Sequence, residues 1–215
     1  MSDDPKRIVA DGYDTIAPRY LAWSGLQPSP ERMRYLGRLL DLVPPGASVL
    51  ELGCGAGVPV SRALAARCRL TGVDISAAQI ALARQHVPAA TFVQADMTAL
   101  DVAPATFDAV TAFYAITHVP RDQHAELLAR IAAWLRPGGL LLATMGASDS
   151  PDTVEAEWLG APMFFSHFDA ETNRALVRQA GLDLLDAEVV DEHEDGVTVP
   201  FLWVVARKPN AGSRG

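Results

Sequence analysis

The sequence predicts a doubly wound α/β fold. Apolar periods alternate between strand and helix from Ser48 to Met145, the strands are apolar almost without a break, and glycines crowd the first strand-to-helix junction. Residues 48–53 (SVLELG), 69–75 (RLTGVDI), 90–95 (ATFVQA), 107–116 (FDAVTAFYAI) and 140–145 (LLLATM) read as buried strands. Helices are expected over 58–67, 77–87 and 121–135. The second opens on Ser76 and Gln79 in capping-box spacing, and Pro137-Gly138-Gly139 ends the third. Two further helices precede this run. One, over 5–22, carries Ile8, Val9, Ile16 and Leu21 with Tyr13, Tyr20 and Trp23 around it. The other opens on Ser29-Pro30, shows Met33, Leu36, Leu39, Leu40 and Val43 on one face, and stops at Pro44-Pro45.

Residues 146–168 break the rhythm with Gly, Ser, Asp and Pro, then Trp158, Met163, Phe164, Phe165 and Phe168. This is the expected pattern of a loop-rich stretch that lines a pocket. Asp169 caps a helix ending at Gly181, and 184–190 and 199–208 pair as antiparallel strands across the acidic turn 191–196. That turn reads as a solvated hairpin tip rather than a metal site, because successive strand residues point to opposite faces. Residues 208–215 read as a polar tail.

At 215 residues the chain suits one domain, and 49% hydrophobic with 20% charged residues excludes disorder. A net charge of −8 argues against a nucleic-acid partner, which requires a basic surface. The cations are almost all arginine, a bias read as genomic composition. Cys54 and Cys68 form no CxxC pair, so neither a zinc site nor a disulfide framework is expected, and a reducing cytoplasm is the expected compartment. The N-terminus lacks a basic start and apolar stretch, and the longest apolar run, 138–147, is too short to span a bilayer, so no membrane association is expected.

The chemistry concentrates at 49–57, VLELGCGAG, where glycines let the chain turn sharply and let a ligand approach the backbone. A nicotinamide fingerprint needs G-x-G-x-x-G, but counting from Gly53 the sixth position is Val58. Acids end successive strands instead: Glu51, Asp74 and Asp96. In a parallel sheet all would reach one edge, where carboxylates accept hydrogen bonds from ribose hydroxyls and an adenine amino group. S-adenosylmethionine, which has no pyrophosphate, suits such an edge.

Through ELGCGAG, GVDIS, QADM, FDAV and LRPGGLLL, in order and spacing, the chain closely resembles the class I S-adenosylmethionine-dependent methyltransferases over about residues 46–146. The resemblance implies a seven-stranded, mainly parallel, Rossmann-like sheet whose last strand is antiparallel. It divides the single domain into a helical lid (1–45), a cofactor-binding core (46–146), and an acceptor-pocket loop, helix and terminal strand pair (147–207). It gives Gly53 and Gly55 to the methionine portion, Asp74 to the ribose, and Asp96 with Met97 to the adenine, flanked by Ile75. Glu51 orders the glycine loop, Phe113 and Tyr114 border the sulfonium, and Tyr13, Tyr20 or Arg19 of the lid reaches the cofactor carboxylate. On the acceptor side the candidates are His118 and His167 as bases and Tyr114, Trp158, Phe164 and Phe165 as contacts. His118 has the alternative reading of a cap on the following helix, His167 that of a loop anchor, and the apolar residues that of ordinary burial.

The electrophile arrives activated, so the protein's task is to align a nucleophile and exclude water, with a base needed mainly for a hydroxyl acceptor. The leading expectation is methyl transfer to O or N of a small molecule. DNA amino methylation would show [DNS]-PP-[YFW] where FYAITHVP stands. A cyclase or lyase acting on the cofactor and a non-catalytic binding module are the other classes. The sequence leaves acceptor identity and oligomeric state open.

Overall fold

The computed structural model describes residues 4–25, 29–194, 196–210 and 212. Residues 211 and 213–215 of the predicted polar tail and Asp195 of the acidic turn lie outside the described residues. The seven-stranded sheet expected from the resemblance is present, in the order β3-β2-β1-β4-β5-β9-β8, with a separate two-stranded sheet, β6-β7. The strands are β1 Ser48–Leu52, β2 Arg69–Asp74, β3 Thr91–Gln94, β4 Phe107–Ala112, β5 Leu135–Gly146, β6 Ser150–Trp158, β7 Ala161–His167, β8 Asp183–Glu194 and β9 Val197–Arg207. The helices are α1 Pro5–Tyr20, α2 Pro30–Leu42, α3 Val60–Ala65, α4 Ala77–His86, α5 His124–Trp134 and α6 Ala170–Gln179. By contacts the chain forms two compact units, residues 1–101 with 154–164 and residues 102–153 with 165–215.

In the first unit β1 pairs parallel with β2 from Ser48↔Arg69 to Leu52↔Val73, and β2 with β3 from Thr71↔Thr91 to Asp74↔Gln94. Val49, Leu50, Leu52 and Val73 are buried, as near-continuous apolar strands require. Ile80 and Ala83 of α4 pack with Val87, Phe92 and Cys54. Gly72 is a packing necessity here, since a Cβ would stand 2.7 Å from the Phe92 ring. Helix starts follow the side-chain caps the sequence offers: Asp4, Ser29 and Ser76 each accept a first-turn N–H. Helix α1 does not run straight through to 22; it ends at Tyr20 and continues as a π-helical turn, Leu21–Gly25. Pro18, which brings no N–H to the ladder, sits in its last turn.

In the second unit β4 and β5 are parallel, and β5–β9 and β8–β9 antiparallel. The strand core (Val110, Leu141, Leu142, Val204, Trp203) and the apolar face of α5 (Leu127, Leu128, Ile131) are almost fully buried. Two sequence expectations are corrected. Residues 146–168 are not loop-rich; they form the β6–β7 hairpin, whose turn residues Leu159 and Gly160 both have positive φ. Its first strand escaped notice because Pro151–Glu157 are all exposed, so no apolar alternation marks it. The acidic segment 191–196 is not a loose tip either: β8 continues through Glu194, and Glu192 is buried.

Candidate functional site

In the first unit the strand ends converge on the glycine loop. Gly53, Gly55 and Gly57 all have positive φ, and Gly53 and Cys54 both donate their N–H to Val73 O, which folds the loop back on β2. The Asp74 carboxylate is the centre of this arrangement. Its Oδ2 accepts from Gly55 N at 2.8 Å and its Oδ1 from Ser76 N at 2.9 Å. One carboxylate thus fixes both the glycine loop and the start of α4, and each oxygen keeps acceptor capacity for a ligand hydroxyl. The capping box expected from Ser76 and Gln79 is only half formed. Ser76 Oγ accepts from Gln79 N, but Ser76 N is taken by Asp74, so the Gln79 amide has no reciprocal partner. That amide is fully buried with both polar atoms unpartnered, and its Oε1 lies 3.9 Å from where a Cβ on Gly55 would stand.

Glu51, 3% exposed at the end of β1, accepts from Ser61 Oγ at 2.5 Å. Burial pushes its carboxyl up to about 8, against the Ser61 hydrogen bond, with the Asp74 charge adding to the rise and Arg32 opposing it. Burial likewise lifts Asp74 to about 6, against the N–H donors of Ser76 and Gly55. The same burial and the two neighbouring acids raise the Cys54 thiol, so it is no thiolate nucleophile. For an acid raised in the folded state, the native protein holds a proton that the unfolded chain has lost. Stability therefore falls as pH rises between the two values. For Glu51 the window runs from about 4.5 to about 8, and for Asp74 from about 3.8 to about 6. Between about pH 6 and pH 8 the Glu51 term acts without Asp74, and Glu51→Gln should flatten the fall seen in the wild type, by up to about 1.4 kcal/mol per pH unit. Urea midpoints at both ends of that window check this; identical pH dependence in the two proteins would contradict the assignment.

Asp96, at the end of the third strand segment, is joined to the N-terminal helix. Lys6 Nζ lies 2.7 Å from Asp96 Oδ2 and donates to Thr98 Oγ1 at 2.6 Å, and Thr98 N donates to Asp96 Oδ1. Partial burial would raise the Asp96 carboxyl, but Lys6 and Thr98 outweigh it and hold it below its ordinary value. A second tether is Asp14, whose Oδ1 accepts from Ser76 Oγ at 2.5 Å and Ala78 N at 2.9 Å. Neither Lys6 nor Asp14 was foreseen, for a single charge on a helix face carries no sequence signal. Ile75 and Met97 are half-buried beside these acids. Tyr20 packs with Tyr13, Trp23 and Trp158 in a ring cluster with centroids 5.1 to 6.0 Å apart. Arg19 Nη1 donates to Leu159 O at the hairpin turn, at 2.5 Å. Phe164 is buried, at 2% exposure.

In the second unit Phe113 is buried against Trp203, and Tyr114 follows with φ of 53°, a left-handed backbone unusual for a tyrosine. His118 closes the short 3-10 turn Ile116–His118, its ring 4.8 Å from Phe165. His167 lies across the backbone of Gly146, whose Cβ would collide with the imidazole, and its Nδ1 is 2.7 Å from Ser148 O. His124 was missed: it is 1% exposed, and its Nε2 donates to Val119 O at 2.9 Å, steadying the segment after His118. Burial holds its imidazole below the ordinary range, against the raising effect of its bond to Val119.

Residues 49–139 match a family model described as a methyltransferase domain. The chain is 33% identical over 156 residues to the malonyl-[acyl-carrier protein] O-methyltransferase of Enterobacter lignolyticus, covering 71% of this chain and 59% of that one. The chain belongs to the class I S-adenosylmethionine-dependent methyltransferase family. Another member, the trans-aconitate 2-methyltransferase of Paracidovorax citrulli, is 41% identical over 121 residues, covering 54% of this chain and 45% of that one. The chain thus spans about half the length of these curated relatives. The fold is shared with the magnesium protoporphyrin IX methyltransferase of Synechocystis PCC 6803, solved with bound SAH, at TM-score 0.71 and 18% identity over 95% of this chain and 100% of that one. The methyltransferase cofactor fits the residues present. Asp74 keeps acceptor capacity for a ribose, and among the described residues only one atom lies within 4 Å of the Cβ position of Gly55, so the loop is open there.

Proposed function

We propose that this chain catalyses S-adenosylmethionine-dependent methyl transfer to an oxygen or nitrogen of a small-molecule acceptor in the cytoplasm. The observation that carries the reading is the Asp74 carboxylate, buried at the end of β2 and gripping Gly55 N–H and Ser76 N–H while retaining acceptor sites. The cofactor supplies an activated methyl group on a sulfonium. Asp74 holds the ribose, Asp96 and the Met97 backbone hold the adenine beside Ile75, Gly53 and Gly55 admit the methionine portion, and Tyr20 contributes from the lid. Glu51 and Asp74 place two acids near a cationic ligand, which draws both toward their charged forms and releases protons on binding.

Phe113 borders the sulfonium, and the acceptor candidates of the second unit are Tyr114, His118 and Phe165; in the first unit the acceptor candidates are Trp158 and Phe164. His118, half-buried against Phe165, contacts the acceptor, and His167 anchors the 146–148 turn through Ser148 O. Two relatives are named for acting on malonyl-[acyl-carrier protein] and trans-aconitate, which supports a carbon-skeleton acid or its ester as the acceptor class. The test is mass spectrometry of the purified protein with methyl-labelled S-adenosylmethionine, alone and with phenols, hydroxy acids, carboxylic acids and amines. Label on one panel member together with S-adenosylhomocysteine is expected. Cofactor consumed without an acceptor, giving another product, would replace methyl transfer with a cyclase or lyase.

A further inference from the structure

The first unit carries a lysine that helix stability does not explain. Lys6 stands in the first turn of α1, its N–H capped by Asp4, and a cation there opposes the helix macrodipole. Its ammonium instead reaches the end of the third strand segment, 2.7 Å from Asp96 Oδ2 and 2.6 Å from Thr98 Oγ1. The side chains of this ion pair are 32% and 24% exposed, and a pair that open to water adds little to folding. Its use lies in what it does to Asp96.

The hydrogen bonds around Asp96 have one possible direction. An ammonium has no acceptor, so Lys6 donates to Thr98 Oγ1, and the Thr98 hydroxyl gives its own hydrogen to the carboxylate, 2.9 Å from Oδ1 and 2.8 Å from Oδ2. Thr98 N–H donates to Oδ1 at 2.8 Å. Among the described residues, Lys6, the Thr98 hydroxyl and the Thr98 N–H thus occupy three of the about four lone-pair sites of the carboxylate. One acceptor site remains, and its direction is fixed because the other three hold the carboxylate plane. Without Lys6, Oδ2 loses its charge-assisted partner, the Thr98 hydroxyl is free to turn away, and the carboxylate is free to rotate about the bond from Thr98 N–H.

We propose that Lys6 is a positioning residue that aims the last acceptor site of Asp96 at the 6-amino group of the cofactor's adenine, and so sets the preference for adenine over a purine lacking that group, a role resting on the methyltransferase reading above. Lys6 acts through Asp96 rather than on the base. It does not have to leave when the cofactor enters, since the remaining site takes the one N–H that the amino group offers it. Asp14 docks α1 about two turns further along, on Ser76 Oγ at 2.5 Å and Ala78 N at 2.9 Å, and makes no hydrogen bond to Asp96 among the described residues. The two tethers therefore separate docking of the helix from the aim of Asp96.

Calorimetric titration of the full chain with S-adenosylhomocysteine, and with its analogue whose purine carries hydrogen in place of the 6-amino group, tests this. Wild type should prefer S-adenosylhomocysteine by about tenfold or more, the worth of one hydrogen bond to a charged group. Lys6→Met should cut that affinity by about tenfold, leave the analogue within about twofold, and so nearly erase the preference, which Lys6→Arg should largely restore. In an Asp96→Asn background Lys6→Met should change the preference no further. Asp14→Asn should lower both affinities by the same factor and keep the preference, and unfolding curves show whether each variant is native. Equal losses for both ligands in Lys6→Met would leave the lysine as a helix tether, and a gain for S-adenosylhomocysteine would make it a competitor of the adenine; either overturns the proposal. A wild type that binds both ligands alike overturns it while leaving the cofactor site at Asp74 and Gly55 in place. A wild type that binds neither overturns that reading, and the role of Lys6 with it.

Discussion

Asp74→Ala should weaken S-adenosylmethionine binding by about a hundredfold or more, the largest cofactor effect expected from one side chain. The carboxylate would be lost to the ribose, and two backbone N–H groups, of Gly55 and Ser76, would lose the acceptors that shape the loop and the start of α4. Each buried donor left unsatisfied costs about 1 to 3 kcal/mol, and about 1.4 kcal/mol is a factor of ten in affinity. Asp74→Asn should fall between, because its amide offers one acceptor oxygen where two donors ask for one each. Calorimetric titration of both variants checks this; affinity of Asp74→Ala within twofold of wild type would move the ribose site elsewhere.

The second large effect separates two glycines of one motif. Gly55 and Gly57 both have positive φ, so alanine at either costs about 1 to 2 kcal/mol of backbone strain. Their surroundings differ. A Cβ on Gly57 would stand 3.1 Å from Ala83 Cα and 3.4 Å from Val87 Cγ2, inside the α4 packing, whereas one on Gly55 meets, among the described residues, only Gln79 Oε1 at 3.9 Å. Gly57→Ala should therefore add overpacking of about 1 to 3 kcal/mol and lower the unfolding midpoint markedly. Gly55→Ala should be the milder change in stability and the more severe one in cofactor affinity. Paired urea unfolding and cofactor titration read both, and equal stability losses with equal affinity would contradict the division of roles.

The order of β1 to β5 and the strand-end positions of Glu51, Asp74 and Asp96 were legible because buried parallel strands write their period directly into the sequence. The β6–β7 hairpin was not, since its exposed polar strand has no apolar alternation to read. Glu192 was hidden for a related reason. Among charged neighbours it reads as solvated, and only the cross-strand placement of Tyr114 and Trp203 turns it inward. The tethers Lys6–Asp96 and Asp14–Ser76 join residues far apart in sequence through single side chains, which no local pattern encodes. Half of the Ser76–Gln79 capping box failed for a tertiary reason, the prior claim of Asp74 on the Ser76 N–H.

The central claim is that the glycine loop and strand-end acids form a site for a sulfonium nucleoside rather than for a dinucleotide. Calorimetric titration of the wild-type protein with S-adenosylmethionine, and separately with the nicotinamide dinucleotide, tests it most directly. Saturable binding of S-adenosylmethionine at one site per chain, no binding of the dinucleotide, and proton release between about pH 6 and pH 8 are the predicted results. No heat with S-adenosylmethionine, or a dinucleotide bound as tightly, would contradict it.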